Sequence, residues 1–370
     1  MKQYLLIFLT FWGISAGSVN SKLAFSEMES GIISKEVIDN KICRMDLALD
    51  YKVDDRVISR IKRYVTYGRK DTELLLGRAQ YYFPIFEHYL RLYGLPEELK
   101  YLPMVESGLQ PAIKSIVGAT GLWQIMDFNV EKYGLLMNEK VDERQDVYKS
   151  TEAAVKLLKD LYVQYGEWTL VLAAYNAGPG RVNKAIKLSG GGANFWEIET
   201  FLPKETRMYI PSFLAASYIA NYYTQHQIQP RIKPHLQVET RILLVEQPLS
   251  FKDVNLISGV SISWLQRLNP GYLNGFIPGN GVHYLVLPVN HYEKVREYLY
   301  GGIGVATALP ENTLETQYVV LPGDSVWSIA KRYDCDPKLI ISRNQLENRS
   351  LVVNEQIVLY LNKRFAFNRA

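Results

Sequence analysis

Three observations predict an α+β fold of several domains for this chain of 370 residues. Apolar residues recur at three and four positions from Asp54 to Tyr223, the spacing of amphipathic helices. Beyond Gln229 that pattern stops at Pro230 and Pro234, and Val238 to Val245 then alternates as a strand does. Finally, two segments about 75 residues apart resemble each other, each reading as a small strand-helix-helix-strand (βααβ) module. A prior of roughly one domain per 150 residues agrees with a large helical domain followed by smaller units.

The elements follow in chain order. Met1-Lys-Gln precedes the apolar run Tyr4 to Ala16 and the small residues Gly17 to Ser21. One positive charge, a run too short to span a membrane comfortably and a small-residue exit make residues 1–20 an expected export signal. No cysteine follows that exit directly, so no lipid anchor is expected; an uncut segment would still tether the chain. Residues 21–50 read as a leader or linker, and residues 51–229 as the helical domain.

Within that domain, Val57, Ile58, Ile61, Tyr64 and Val65 mark one helix, and Leu74, Leu75, Ala79, Tyr82 and Phe86 a second. Pro96 is expected just inside the start of a helix that carries Glu106, with Glu97 and Glu98 at its positive end and Pro103 bending its last turn. Ser150 is the expected cap of a helix through Ala153, Leu157 and Leu161 that Gly166 ends, and Trp168 to Ala174 begins the next. Residues 230–310 and 316–363 then hold the two modules. Ser250 to Asn269 can be laid over Ser325 to Asn344, each pair of short helices ending in asparagine before a strand, Tyr284–Leu287 or Ile357–Leu361.

Composition narrows the function. A net charge of +4 is small for this length and no Lys/Arg block stands out, which argues against nucleic acid as a partner. The five histidines are scattered and the two cysteines, Cys43 and Cys335, fall in different domains, so neither a metal centre, a cofactor site nor a disulfide framework is expected. The 26 tyrosines suit an open aromatic groove, and ordinary helical interfaces equally.

Glu106 is the best clue to chemistry. It ends an apolar stretch, and Gly118-Ala-Thr-Gly-Leu-Trp-Gln124 follows within one loop. A carboxyl buried among apolar neighbours such as Leu102, Met104, Val105, Leu122, Trp123 and Ile125 stays protonated to higher pH and can serve as a general acid. Alone, such a glutamate is more often an ordinary helix-terminal residue.

Read together, Glu106-Ser107, Gly118 to Gln124, Ala173-Ala-Tyr-Asn-Ala-Gly-Pro-Gly-Arg181 and Glu205-Thr-Arg-Met-Tyr209 resemble the soluble-lytic-transglycosylase family, whose fold is related to goose-type lysozyme. The tryptophan in Gly-Leu-Trp-Gln points to its membrane-bound lytic murein transglycosylase D branch. Tyr318 to Asn344 resembles a LysM module, and residues 250–288 match LysM as a degenerate copy. The implied fold class is a mainly α-helical lysozyme-like catalytic domain followed by small βααβ LysM-type modules. The sequence departs from the family in Gln110-Pro111, where Asn-Pro is usual, and in Asn354-Glu-Gln356, where Gly-Gln is usual.

The resemblance implies a peptidoglycan lytic transglycosylase of the periplasm or cell envelope, without cofactor or metal. Its implied partners are the glycan strands, the envelope as a peripheral surface and other cell-wall enzymes. Glu106 would protonate the bond oxygen between N-acetylmuramic acid and N-acetylglucosamine, then take the proton of the sugar's 6-hydroxyl as it closes a 1,6-anhydro ring. As substrate-site residues, Ser107 and Gln124 would hydrogen-bond near Glu106 or the substrate, Gly121 would form a turn whose backbone can approach the sugar, Tyr175 and Asn176 would shape the sugar subsite, and Tyr209 would sit across the groove near the acid. Gly323, Asp324, Ser325, Asn344 and Leu346 would form the glycan groove of the LysM module. Two alternatives stay open on the residues alone: a lysozyme-type hydrolase, which needs a second carboxylate, and a non-catalytic wall-binding scaffold.

Overall fold

The computed structural model describes residues 34–279, 283–300, 313–321, 324, 326–333, 335–346, 351–352 and 355–362. The expected export signal, the leader before residue 34, and Gly323, Ser325 and Asn354 lie outside them.

Helix α1, Lys35–Cys43, is capped by the Ser34 hydroxyl and buries Ile38 and Ile42 completely. The expected leader therefore ends before this helix, because two isoleucines one turn apart give residues 35–43 an apolar face that the domain core covers. The Asp54 carboxylate caps α2, Asp55–Val65, whose Val57 and Ile61 face the same core. Helix α3, Arg69–Tyr93, passes through Pro84 and stops at Gly94, which takes the left-handed conformation that a helix end uses.

The helix expected from Pro96 to Glu106 is instead two pieces. A 3₁₀ turn, Glu97–Tyr101, gives way to the short helix α4, Leu102–Glu106, with Pro103 in its first turn. There the missing N–H of proline leaves no bond unmade, so Pro103 starts a helix instead of bending one. A second difference lies at α5, Val147–Tyr165. Its cap is Asp146, whose carboxylate accepts from the Tyr148 and Lys149 amides, while Ser150 is buried one turn inside. Gly166 ends α5 as expected, with φ 66°. Helices α6, Trp168–Ala177, and α7, Pro179–Leu188, meet at Gly178. After the single-turn helices Phe195–Ile198 (α8) and Lys204–Arg207 (α9), α10, Tyr209–Tyr222, is buried along most of its length and touches α2, α4 and α6. It is the axis of the helical domain, and its first residue faces Glu106.

The first module pairs β1, Thr240–Val245, antiparallel with β4, His283–Pro288, around the helices Phe251–Ser258 and Ile262–Leu268, with a short ladder between β2, Leu249–Ser250, and β3, Phe276–Ile277. The second repeats this with β5, Thr313–Val319, against β6, Gln356–Asn362, and the helices Val326–Tyr333 and Pro337–Arg343. The repeat extends to one side chain. The Asn269 amide donates to the Leu265 and Val286 carbonyls and accepts from the Val286 N–H, and Asn344 does the same with Ile340 and Val358. Each asparagine ties the end of its second helix to the closing strand.

Among the described residues three main cores result, one per unit, with Val141 of the helical region buried in that of the first module, and a small fourth cluster of Leu268, Tyr284 and Val286 packs against Tyr148 of the helical domain. Among the described residues no helix is long and apolar enough to cross a membrane. Neither Cys43, which is exposed, nor Cys335, which is partly buried, is in a disulfide bond.

Candidate active site

A groove of about 1380 Å³ opens over the C-terminal end of α4, and Glu106 lines it. The reason lies in the local chain. Leu102, Pro103 and Met104 are buried, which anchors the short helix in the core and leaves its last residue at the groove floor. Ser107, itself buried, fixes that end: its hydroxyl lies 2.8 Å from the Leu122 carbonyl oxygen and 3.1 Å from that of Pro103. The helix end and the glycine turn are thus joined one residue beyond the carboxyl.

The Glu106 carboxyl accepts a hydrogen bond from the Tyr209 hydroxyl at the start of α10. Its pKa is pushed up to about 7, first by burial and further by the charge of Glu205, while the Tyr209 hydrogen bond pulls it down. Burial wins because a carboxylate loses more hydration here than one phenol returns. At neutral pH the group is divided between its acid and base forms, which suits a residue that must give and then recover one proton. Burial likewise holds the Tyr175 and Tyr209 phenols protonated, assisted by the neighbouring charge of Glu106.

The structure brings most of the expected substrate-site residues to this groove. Gln124, Tyr175, Asn176 and Tyr209 all line it. The Tyr175 hydroxyl donates to the Trp123 carbonyl at 2.6 Å, and the Gln124 amide donates to the Gly121 carbonyl at 2.9 Å, so both are held in place by the glycine turn. Two of the expected residues serve the scaffold of the site. Ser107 is consumed in joining α4 to the turn. Gly121 faces protein instead of sugar: with φ 87°, a side-chain carbon there would lie 1.8 Å from the Arg144 carbonyl oxygen. Leu122 and Trp123 are likewise turned into the core, the indole donating to the Thr151 hydroxyl at 2.9 Å. The walls beside Glu106 are instead built from Met104, Val105, Tyr175, Met208 and Tyr209.

In the second module, the described residues expected to bind glycan have turned inward. The Asp324 carboxylate is fully enclosed, accepting from the Tyr318 hydroxyl at 2.5 Å and from Arg332 at 3.0 Å, with His88 of α3 3.5 Å away. Asn344 is spent on backbone, and Leu346 belongs to the module core. These three side chains hold the module together; the expectations for Gly323 and Ser325 lie outside the described residues.

Sequence reasoning pointed to Arg181, which lines the groove, and missed the rest of its arginines. Arg60 and Arg63 reach it from α2, and Arg78 reaches it from α3 while donating to the Gly108 carbonyl at 2.7 Å. The first two sit three residues apart on the polar side of a helix, a pattern that reads as a solvated face. Asp142 and Arg144, which belong to no recognised motif, turn out to be buried behind the glycine turn.

Comparison with known proteins agrees with the motifs. The model of the Transglycosylase SLT domain matches residues 83–196, that of the LysM-like domain of lytic transglycosylase MltD matches 239–300, and that of the LysM domain matches 318–359. Over 323 residues the chain is 30% identical to the membrane-bound lytic murein transglycosylase D of Escherichia coli, spanning 85% of this chain and 71% of that one. It is 32% identical over 124 residues to the soluble lytic murein transglycosylase of the same organism, spanning 32% of this chain and 19% of that one. The solved 70 kDa soluble lytic transglycosylase of Escherichia coli aligns over 56% of this chain and 46% of its own at 20% identity, with a TM-score of 0.35.

Proposed function

The chain belongs to the lytic murein transglycosylase family that includes membrane-bound lytic murein transglycosylase D, and from that membership we propose that Glu106 is its single catalytic acid and base. The enzyme is a peptidoglycan lyase: an SLT catalytic region followed by an MltD-type LysM-like module and a LysM module, the last of which is the proposed second contact with the same polymer.

The observation that carries the assignment is the Glu106 carboxyl at the groove floor, raised by burial to about 7 and held by Tyr209. In its acid form it gives a proton to the glycosidic oxygen between N-acetylmuramic acid and N-acetylglucosamine, and the bond from that oxygen to C1 breaks. The 6-hydroxyl oxygen of the muramic residue then bonds to C1, and its proton passes to the Glu106 carboxylate. One carboxyl is returned to its starting state and no water is consumed. A hydrolase would need a second carboxylate placed to activate water; Glu205 at the groove is exposed, and its effect on Glu106 is the repulsion that raises the pKa. Gln124, Tyr175 and Asn176 line the groove as the proposed sugar subsite. Export through the N-terminal segment, work in the periplasm or cell envelope and a role in wall remodelling belong to the same proposal.

The test is digestion of purified sacculi by the full chain and by Glu106→Gln, with mass spectrometry of the released fragments. Wild-type enzyme is expected to leave 1,6-anhydromuramyl ends and the variant to release none. Reducing ends from the wild type would overturn the lyase chemistry, and undiminished digestion by Glu106→Gln would overturn the acid.

A further inference from the structure

Asp142 and Arg144 lie outside every motif that the chemistry used, yet both side chains are buried directly behind the glycine turn. The Arg144 guanidinium meets the Asp142 carboxylate in two parallel bonds, Nε to Oδ1 at 2.9 Å and Nη2 to Oδ2 at 2.7 Å. Its remaining nitrogen, Nη1, donates to the Gly118 carbonyl at 3.0 Å and faces that of Ile125 at 3.4 Å, the two ends of the turn. The middle of the turn rests on the same residue, since Gly121 packs against the Arg144 carbonyl closely enough to exclude any side chain. The turn's own carbonyls then receive Ser107, next to the acid, and Tyr175, on the groove wall.

The other side of Asp142 is held by the first module. The Asp142 N–H donates to the Gly271 carbonyl at 2.9 Å, and the Leu273 N–H donates to the Lys140 carbonyl at 2.9 Å. Val141 pairs with Tyr272 and is buried in the module's core. Four residues on, the Asp146 carboxylate that caps α5 receives the Tyr284 hydroxyl of β4. A continuous set of bonds therefore runs from the module through Asp142 and Arg144 to the turn beside Glu106.

We propose that the Asp142–Arg144 pair, clamped by the first C-terminal module, is the positioning device that sets the glycine turn against Glu106, so that this module is part of the catalytic unit as well as of the wall-binding region. Arginine is needed for the geometry: one planar fork satisfies a carboxylate and a carbonyl in fixed directions, which an ammonium on a flexible stem does not. Displacement of such a support by about 1 Å is enough to cost on the order of 100-fold in rate. The inference rests on the groove at Glu106 being the active site, and its test separates the two.

The experiment uses the full chain with Arg144→Lys, which loses the fork from the catalytic side, and Gly271→Val, which crowds the Asp142 carbonyl from the module side, where a first side-chain carbon would already lie 3.2 Å away. Turnover of soluble glycan strands and amide hydrogen exchange are measured on both. Each variant is expected to lower kcat at least about tenfold with KM within roughly twofold of wild type, and to speed exchange of the Gly121, Gln124 and Ile125 amides, which are hydrogen-bonded within or beside the turn. Wild-type kcat in either folded variant overturns the proposal, and so does a fall in kcat with the turn's exchange unchanged. Glu106→Gln is expected to leave that exchange as in the wild type. If Glu106→Gln stays active the assigned acid fails, while the exchange of the other two variants still decides the brace.

Discussion

On the proposed assignment, the rate of this enzyme is set at one carboxyl whose environment contains opposing influences. Burial and Glu205 raise the Glu106 pKa to about 7, and the Tyr209 hydroxyl opposes them. Because the acid form starts the reaction and kcat/KM reports the free enzyme, kcat/KM is expected to be level in the acid range and to fall as pH rises through about 7, tending to about tenfold per unit above it. Tyr209→Phe removes the one hydrogen bond that favours the carboxylate, so the break should move to higher pH even as turnover suffers from the lost contact. A break that stays in place or moves down, read from the pH profile of the variant, would show that Tyr209 does not tune the acid. Glu106 was legible in the sequence because its motif is local. Its surroundings were legible in part: Met104 and Val105 line the groove as expected, while Leu122 and Trp123 of the turn are buried in the core, and the lining that Tyr175, Met208 and Tyr209 add comes from far along the chain.

The glycine turn, as an element, illustrates how one residue type serves two purposes. Gly118 and Gly121 both have φ near 90°, a region that other residues enter at a cost of about 1–2 kcal/mol. Only Gly121 also lacks space, with Arg144 backbone where a side chain would start. Gly118→Ala should therefore cost roughly 1 kcal/mol of stability, and Gly121→Ala on the order of 3 kcal/mol or more, since overpacking adds to backbone strain. Denaturant midpoints of the two variants check this; equal losses would mean that the clash at Gly121 relaxes freely. Sequence alone marks both glycines as a turn and does not rank them, because the crowding comes from a residue 23 positions after Gly121 in the numbering of the chain. The same limit explains Ser150 and Asp146. Either suits a helix cap by type, and Asp146 takes the position because its carboxylate reaches two amides of the first turn.

At the scale of the molecule the three cores are joined in different ways. The helical domain and the first module share Val141 and a run of backbone bonds, so neither unfolds without exposing apolar surface of the other. The second module meets the rest through polar contacts, His88 with Asp324 and Lys338 with Glu246 at 2.8 Å, and the latter pair is partly exposed and worth little. The repeat that predicted two similar modules did not reveal this asymmetry, because it lies in segment 138–142 of the helical region instead of in either copy. Calorimetry of the full chain should accordingly resolve a large transition for the helical domain with the first module and a smaller one for the second module. The paired asparagines identify which is which. Asn344→Ala strips partners from the Val358 amide and the Ile340 carbonyl and should lower only the smaller transition, while Asn269→Ala, its counterpart, should lower only the larger, each by about 1–3 kcal/mol. If Asn269→Ala instead splits the larger transition into two, the first module unfolds alone and its hold on segment 138–142 is weaker than the shared core requires.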